Sequence, residues 1–263
     1  MAARYLGIPL IIRGESNAMR HRSTKAKMFH RLFLPGFRAY LAIGKSSRAF
    51  YRGYGIEDAR IFQANYFVDN QRFVAESEKL VPQRAALRQS MAVADSDYCF
   101  LYSGKLNEKK RILDLLAALR IAGEENSNLR LLVVGTGELM EEAQSMVSRY
   151  SLPVTFAGFL NQSEIPTAYV ASDCIVLPSG YGETWGLVVN EAMACGRPAI
   201  VSDRVGCGPD LVENGETGLQ FPFGDVRALA QCMLTMARDP QASTAMGLSA
   251  RGRVLNDYSV NQA

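Results

Sequence analysis

The chain has 263 residues, 48% of them hydrophobic and 21% charged, with a formal net charge of +3. These are globular values, which exclude a disordered chain, and the charge alone is too small to imply a nucleic-acid partner. Cys99, Cys174, Cys195, Cys207 and Cys232 are odd in number and widely spaced, with no C-x-x-C, so they read as reduced core residues of a cytosolic protein. The two histidines, His21 and His30, weaken any metal or Ser-His-Asp reading. No apolar run reaches the length that spans a membrane.

In chain order, Met1 to Leu6 reads as a helix end and Gly7 to Ile12 as a buried strand. Ala39 to Ile43 is a second strand, Lys45 to Tyr54 a helix, and Arg60 to Ala64 a third strand. Alternation of this kind predicts a parallel sheet. After the first strand come Arg13 and Glu15, which either bind an acceptor or a donor phosphate or pair with each other. Arg20, Arg22, Lys25, Lys27, Arg31, Arg38, Lys45, Arg48 and Arg52 follow with no acid between Glu15 and Glu57, and Phe29, Leu32, Phe33, Leu34 and Phe37 are interleaved. That stretch, 20–52, is either a surface that leans on anionic lipid or a solvated or packed helix face.

Ser77 to Val93 reads as a helix, and Asp95-Ser96-Asp97 as a turn without metal. Tyr98 to Ser103 is a strand, followed by G-K-L-N-E-K-K-R and a helix from about Ile112. Gly104 permits the turn. Lys105 and Lys110 flank a loop at the sheet's carboxyl edge, where two cations neutralise a diphosphate or else form a solvated basic turn. Lys109 and Arg111 read as facing solvent. Leu129 to Val134 is a strand leading into G-T-G-E, where Gly135 and Gly137 fit a backbone approach to a nucleotide. Val154 to Phe159 is a short strand containing Gly158.

The most informative stretch is P-S-G-Y-G-E-T-W-G-L-V-V-N-E-A-M-A-C-G-R-P-A-I-V-S-D, Pro178 to Asp203. Asp173 to Leu177 is a buried strand ahead of it. Gly180, Gly182 and Gly186 relax the loop around Glu183 and Thr184, and Trp185 to Cys195 has helical periodicity stopped by Gly196 and Pro198. Two helical turns bring Glu183 and Glu191 toward one cleft, on either side of a helix start that seats a phosphate. Such an arrangement suits a sugar nucleotide; alternatively Glu183 caps the helix and Glu191 is solvated. Ala199 to Ser202 and Gly218 to Phe221 read as further strands, with Asp225 as a helix cap and Asp239-Pro240 between two final helices.

The order G-E-x-x-G-x-x-x-x-E-A-M-A-C-G-x-P resembles the E-x7-E signature of the family 4 retaining glycosyltransferases, the glycosyl transferases group 1 with the GT-B fold. Tyr66 to Phe73 is similar to the family's hinge motif at Val68, Asp69 and Phe73, and Lys105 and Lys110 match its G-R-x-x-x-x-K. Where the family commonly has an acceptor-side histidine, this chain has Glu15 about in register.

The resemblance implies an α/β fold of the GT-B type. A partial Rossmann-like acceptor-side domain over 1–75 would precede a near-complete nucleotide-sugar-binding domain over 76–263, with the chain short at both ends. It implies transfer of a hexose-type sugar, with retention, from a nucleotide-sugar donor to a glycan or lipid-linked acceptor. No metal or cofactor is expected. Glu183, Lys105 and Lys110 would be catalytic. Gly104, Gly135, Gly137, Gly158, Gly182, Thr184, Trp185, Gly186 and Glu191 would bind the donor, with Glu191 on the ribose; Arg13 and Glu15 would lie on the acceptor side. No nucleic-acid partner is expected. The location implied is the cytoplasm, peripheral on the membrane's inner face. Two other readings stay open, a nucleotide-sugar epimerase of the same fold and a nucleotide-sugar-binding fragment without catalysis.

Overall fold

The computed structural model describes residues 6–180 and 182–260. The helix end expected over Met1 to Leu6 lies outside these apart from Leu6, which sits in a turn with Gly7; Tyr181 in the glutamate loop is likewise outside. The chain divides into two compact units, meeting in sequence at Tyr66/Phe67.

In the first unit, β1 (Ile11–Arg13), β2 (Ala39–Ala42) and β3 (Ile61–Gln63) form a parallel sheet in that order. Ile11 pairs with Ala39 and Tyr40 with Ile61. α1 (Thr24–Phe33) follows β1, capped by Ser23, whose hydroxyl accepts from Ala26 N at 3.3 Å. α2 (Lys45–Gly53) joins β2 to β3. Leu34, Tyr40, Ala42, Phe50, Tyr51, Ile56 and Ile61 make the core. The strand expected over Gly7 to Ile12 is shorter and later than the apolar run, because Pro9 has no N–H to give a ladder. It is an edge strand with Ile11 exposed, not the buried strand its composition suggests.

The second unit begins with α3 (Asn70–Leu80), capped by Asp69, whose Oδ1 accepts from Arg72 N at 3.0 Å. The helix expected from Ser77 to Val93 is broken. Pro82 forces a 3-10 turn at Val81–Gln83, since it lacks the N–H that a continuous helix needs, and α4 (Arg84–Ser90) follows. The sheet contains β4 (Tyr98–Ser103), β5 (Leu129–Val134), β6 (Val154–Gly158), β7 (Cys174–Leu177), β8 (Ala199–Ser202) and β9 (Gly218–Phe221). All pairs are parallel in the order β6-β5-β4-β7-β8-β9, the doubly wound arrangement that reverses between its first and fourth strands. Both faces are covered, which is why these strands read as continuous apolar runs.

α5 (Ile112–Glu125), α6 (Met140–Tyr150), and, further along the chain, α7 (Ile165–Ala171) and α8 (Leu187–Ala194) alternate with the strands. The short α9 (Gly208–Leu211) precedes α10 (Val226–Arg238) and α11 (Pro240–Asp257). α5 packs on α6 and α10, burying Leu115, Leu119, Val133, Leu229 and Met233 between them and the sheet. In a second layer α3 packs on α7 and α8, α4 on α7, and α11 on α8. α3 therefore belongs with the second unit, although part of it precedes the boundary at 75/76 that the sequence suggests.

Candidate functional site

Strand order reverses between β4 and β7, and in sheets of this kind ligands bind outside the carboxyl ends of the strands at such a point. The loops that leave the strands there are tied to one another. Gly104 N donates to Val134 O at 3.0 Å, Leu106 N to Thr136 O at 3.0 Å, and Gly135 N to Gly158 O at 2.7 Å. A Cβ on Gly135 would lie 2.0 Å from Gly104 O, and one on Gly137 would lie 2.2 Å from Leu106 O. The glycines of G-T-G therefore admit the backbone of the neighbouring loop. Gly158 needs no such space, but its φ of 70° suits glycine.

Lys110 and Glu183 form an ion pair across the reversal point, one from each loop. The stem of Lys110 crosses Gly104, where a Cβ would stand 3.7 Å from Cε. Asn107 Oδ1 accepts from Lys110 N at 3.1 Å and fixes the turn that aims it. Lys105 is exposed. Lys109 is exposed as expected, yet it also holds the glutamate loop. Its carbonyl accepts from Gly180 N at 2.9 Å and its stem covers Gly182, where a Cβ would fall 2.8 Å from Cε. Arg111 is not simply solvent-facing: it pairs with Asp114 at 2.8 Å and lies over the Phe223 ring.

Glu183 and Glu191 are 8% and 7% exposed, so neither is a solvated acid. Glu183 does not cap the helix: α8 starts later, at Leu187, after Gly186 at φ 111°. A Cβ on Gly186 would fall 2.8 Å from Leu177 Cδ2. The two missing residues of the expected helix are held open by the loop after β8. Gly206 N donates to Glu183 O at 2.8 Å and Cys207 N to Trp185 O at 3.0 Å, while the Thr184 carbonyl lies against Gly206. Trp185 faces inward, 2% exposed, with its ring near Tyr258 and Nε1 donating to Asn190 Oδ1 at 2.8 Å.

Glu191 projects from α8 toward α7 and the loop after β6. Tyr169 donates its hydroxyl to Oε2 at 2.6 Å, and Gln162 Nε2 lies 3.4 Å from Oε1. Burial raises the Glu191 carboxyl above its usual range; the two donors and the Arg72 charge oppose that shift. Burial likewise lifts the Tyr169 phenol, so it remains a proton donor at neutral pH.

Lys110 and Glu183, paired at the switch point, and Glu191, buried on the following helix, are all residues that the sequence singled out. The family model described as glycosyl transferases group 1 matches residues 83–253. The chain belongs to this family.

Among curated relatives of this glycosyl transferases group 1 chain, glycogen synthase of Mycobacterium tuberculosis is 33% identical over 162 residues, 60% of this chain and 38% of that protein. A GDP-mannose-dependent alpha-(1-6)-phosphatidylinositol monomannoside mannosyltransferase of Mycolicibacterium smegmatis is 28% identical over 199 residues, 73% of this chain and 50% of that protein. The chain thus spans half or less of these relatives. The crystal structure of Anabaena HepE in complex with UDP superimposes with a TM-score of 0.82 at 20% identity, over 99% of this chain and 71% of that one. The fold is α/β of the GT-B type.

In the first unit, Arg13 and Glu15 both engage Tyr66. The guanidinium lies 5.1 Å from the ring centroid and the carboxylate accepts from the hydroxyl. Sequence reasoning missed Gln162, Tyr169, Arg72 and Gly206. Tyr169 sits in an apolar helix and looks like core until its hydroxyl is followed; Gly206 lies in a G-C-G-P turn, and only the contact with Thr184 explains it.

Proposed function

We propose that this chain carries the donor half of a retaining, metal-independent glycosyltransferase that moves a hexose-type sugar from a nucleotide-diphosphate donor to a glycan or lipid-linked acceptor. The observation that carries the reading is the Lys110–Glu183 pair at the switch point. Lys105, Lys110 and the amino end of α8 would meet the diphosphate, whose negative charge grows as it leaves. Lysine holds phosphate as a point charge, without the fork an arginine would offer. Glu183 would accept from the donor sugar's hydroxyls and Glu191 from those of the ribose. As the anomeric C–O bond to the diphosphate breaks, the acceptor oxygen bonds to the same face of that carbon, and its proton passes to the departing phosphate oxygen. Without donor, Glu183 holds Lys110; the diphosphate would take over that cation and release the carboxylate to the sugar. Support for the ligand class comes from HepE, crystallised with UDP and with UDP-glucose. The first unit, with Arg13 and Glu15, would serve the acceptor.

Calorimetric titration with UDP, GDP, ADP and their sugars tests this. One nucleotide is expected to bind, with at least about tenfold loss in a Lys105→Ala/Lys110→Ala variant. A folded protein that binds none of them overturns the proposal.

For the acceptor side we infer a peripheral contact with the inner face of an anionic membrane through α1. Met28 and Leu32, 69% and 71% exposed, share one side of that helix with exposed Phe29 and Phe33. Exposed Lys25, Lys27 and Arg31 supply the complementary charge. No helix among the described residues is long and apolar enough to cross a membrane. Co-sedimentation with phosphatidylglycerol vesicles but not phosphatidylcholine ones is expected, and Met28→Ser/Leu32→Ser should abolish it. Equal recovery with both vesicle types would sink the idea.

A further inference from the structure

Glu191 is buried, yet as a ribose acceptor it must be charged and correctly turned, and burial opposes the first of these. What offsets it can be followed outward. Its two donors, Tyr169 and Gln162, come from different segments, α7 and the loop after β6. Each of the two is backed by a residue from the first turn of α3, and those two residues are consecutive. Arg72 donates to Gln162 twice, through Nη2 to the side-chain Oε1 at 2.9 Å and through Nη1 to the carbonyl at 2.9 Å. This fixes which end of the Gln162 amide faces Glu191: with Oε1 taken by the guanidinium, only the NH₂ is left for the carboxylate. Phe73, buried, stands edge-on to the Tyr169 ring at 6.1 Å. Asp69 caps this same turn, and Glu76 pairs with Arg72 at 3.1 Å and steadies the guanidinium.

We propose that Arg72 and Gln162 are positioning residues for the donor site: Arg72 orients the Gln162 amide, and the amide, with Tyr169, turns the Glu191 carboxylate toward the nucleotide. The inference rests on the reading that Glu191 binds the donor. It adds that the turn just after the unit boundary at Tyr66/Phe67 sets how well that glutamate does so. A movement of α3 would therefore reach the nucleotide site through two side chains, without any displacement of the sheet. Among the described residues, the charged and titratable groups that bear on Glu191 are Arg72 from α3, itself paired with Glu76, Tyr169 from α7 and Cys195 just past the end of its own helix. Of these, only Arg72 is cationic.

The test is nucleotide affinity from about pH 5 to about pH 8, a range that begins just above the ordinary glutamate value of about 4.3. Arg72→Met keeps the stem and removes the charge and fork. It is expected to weaken binding about tenfold near neutrality and to move the onset of binding to higher pH, because Glu191 then ionises less readily. Arg72→Lys should recover part of the onset shift and little of the orientation. Gln162→Leu, which leaves α3 intact, should weaken binding by a similar factor. In a Glu191→Gln background, Arg72→Met should add nothing. Parent-like binding by both Arg72→Met and Gln162→Leu would overturn the relay while leaving the donor site in place; so would an undiminished Arg72 effect in the Glu191→Gln background. If the folded parent binds no nucleotide, the reading beneath the proposal has failed, and the relay falls with it.

Discussion

Glu183→Gln is expected to lower turnover by about two to three orders of magnitude while changing nucleotide affinity by less than about threefold. Glutamine keeps the shape of the side chain and one acceptor oxygen, so the loop around it should survive. What it loses is the charge that holds Lys110 in the empty site and meets the sugar's hydroxyls and developing positive charge in the transition state. The nucleotide's own contacts, at Lys105, Lys110 and Glu191, are left in place. The change should also cost stability, about 2 kcal/mol, because the pair is largely buried and the Lys110 ammonium loses its charged partner there. Steady-state transfer or donor hydrolysis, measured beside a nucleotide titration and a melt, separates these effects. If the variant turned over like the parent, or if affinity fell as far as turnover, Glu183 would not be the group that faces the reacting sugar.

Much of the second unit could be read from local sequence. β4, β5 and β8 fall where the apolar runs put them, because strands buried on both faces have no alternation to blur their ends, and the edge strand β9 also lies where it was read. The α8 stop at Gly196, with φ 73°, the cap at Asp225 and the break at Asp239-Pro240 between the last two helices were legible for the same local reason. Where the reading departs from the structure, the cause is a non-local partner or a proline. Pro82 breaks an otherwise good helix, and Pro9 delays the first strand. α8 opens two residues late because Glu183 and Trp185 give their carbonyls to Gly206 and Cys207 rather than to a first helical turn. The spacing of Glu183 and Glu191 was visible, but their partners were not. Lys110 lies in a loop far away in sequence, and Gln162 and Tyr169 sit in segments whose composition looks like ordinary turn and core. Even the G-T-G glycines, whose backbone freedom was evident, are pressed against Gly104 and Leu106, which no pattern within the motif announces.

The largest structural effect is expected at Gly206. A Cβ there would lie 1.8 Å from Thr184 O and 2.3 Å from the carbonyl carbon, both backbone atoms that no rotamer change can remove. Gly206→Ala must therefore push the loop after β8 away from the glutamate loop. That movement lengthens the bonds from Gly206 N to Glu183 O and from Cys207 N to Trp185 O. Overpacking of a rigid contact with loss of two hydrogen bonds should cost about 3 kcal/mol or more, which for a unit of this size lowers Tm by about 6 to 12 °C. Nucleotide affinity should fall as well, since Thr184 and the start of α8 move with the loop. Gly252→Ala is the control. It lies within α11, at no positive φ and with nothing within 4 Å of its new Cβ, so it should be neutral or slightly stabilising. Thermal and denaturant melts of the two variants, each followed by the nucleotide titration, decide the matter. A Gly206→Ala protein that melted with the parent and bound nucleotide equally would mean that the loop after β8 can withdraw at no cost. Lys110 alone would then have to fix Glu183, and the close approach of the two loops would be incidental to the site.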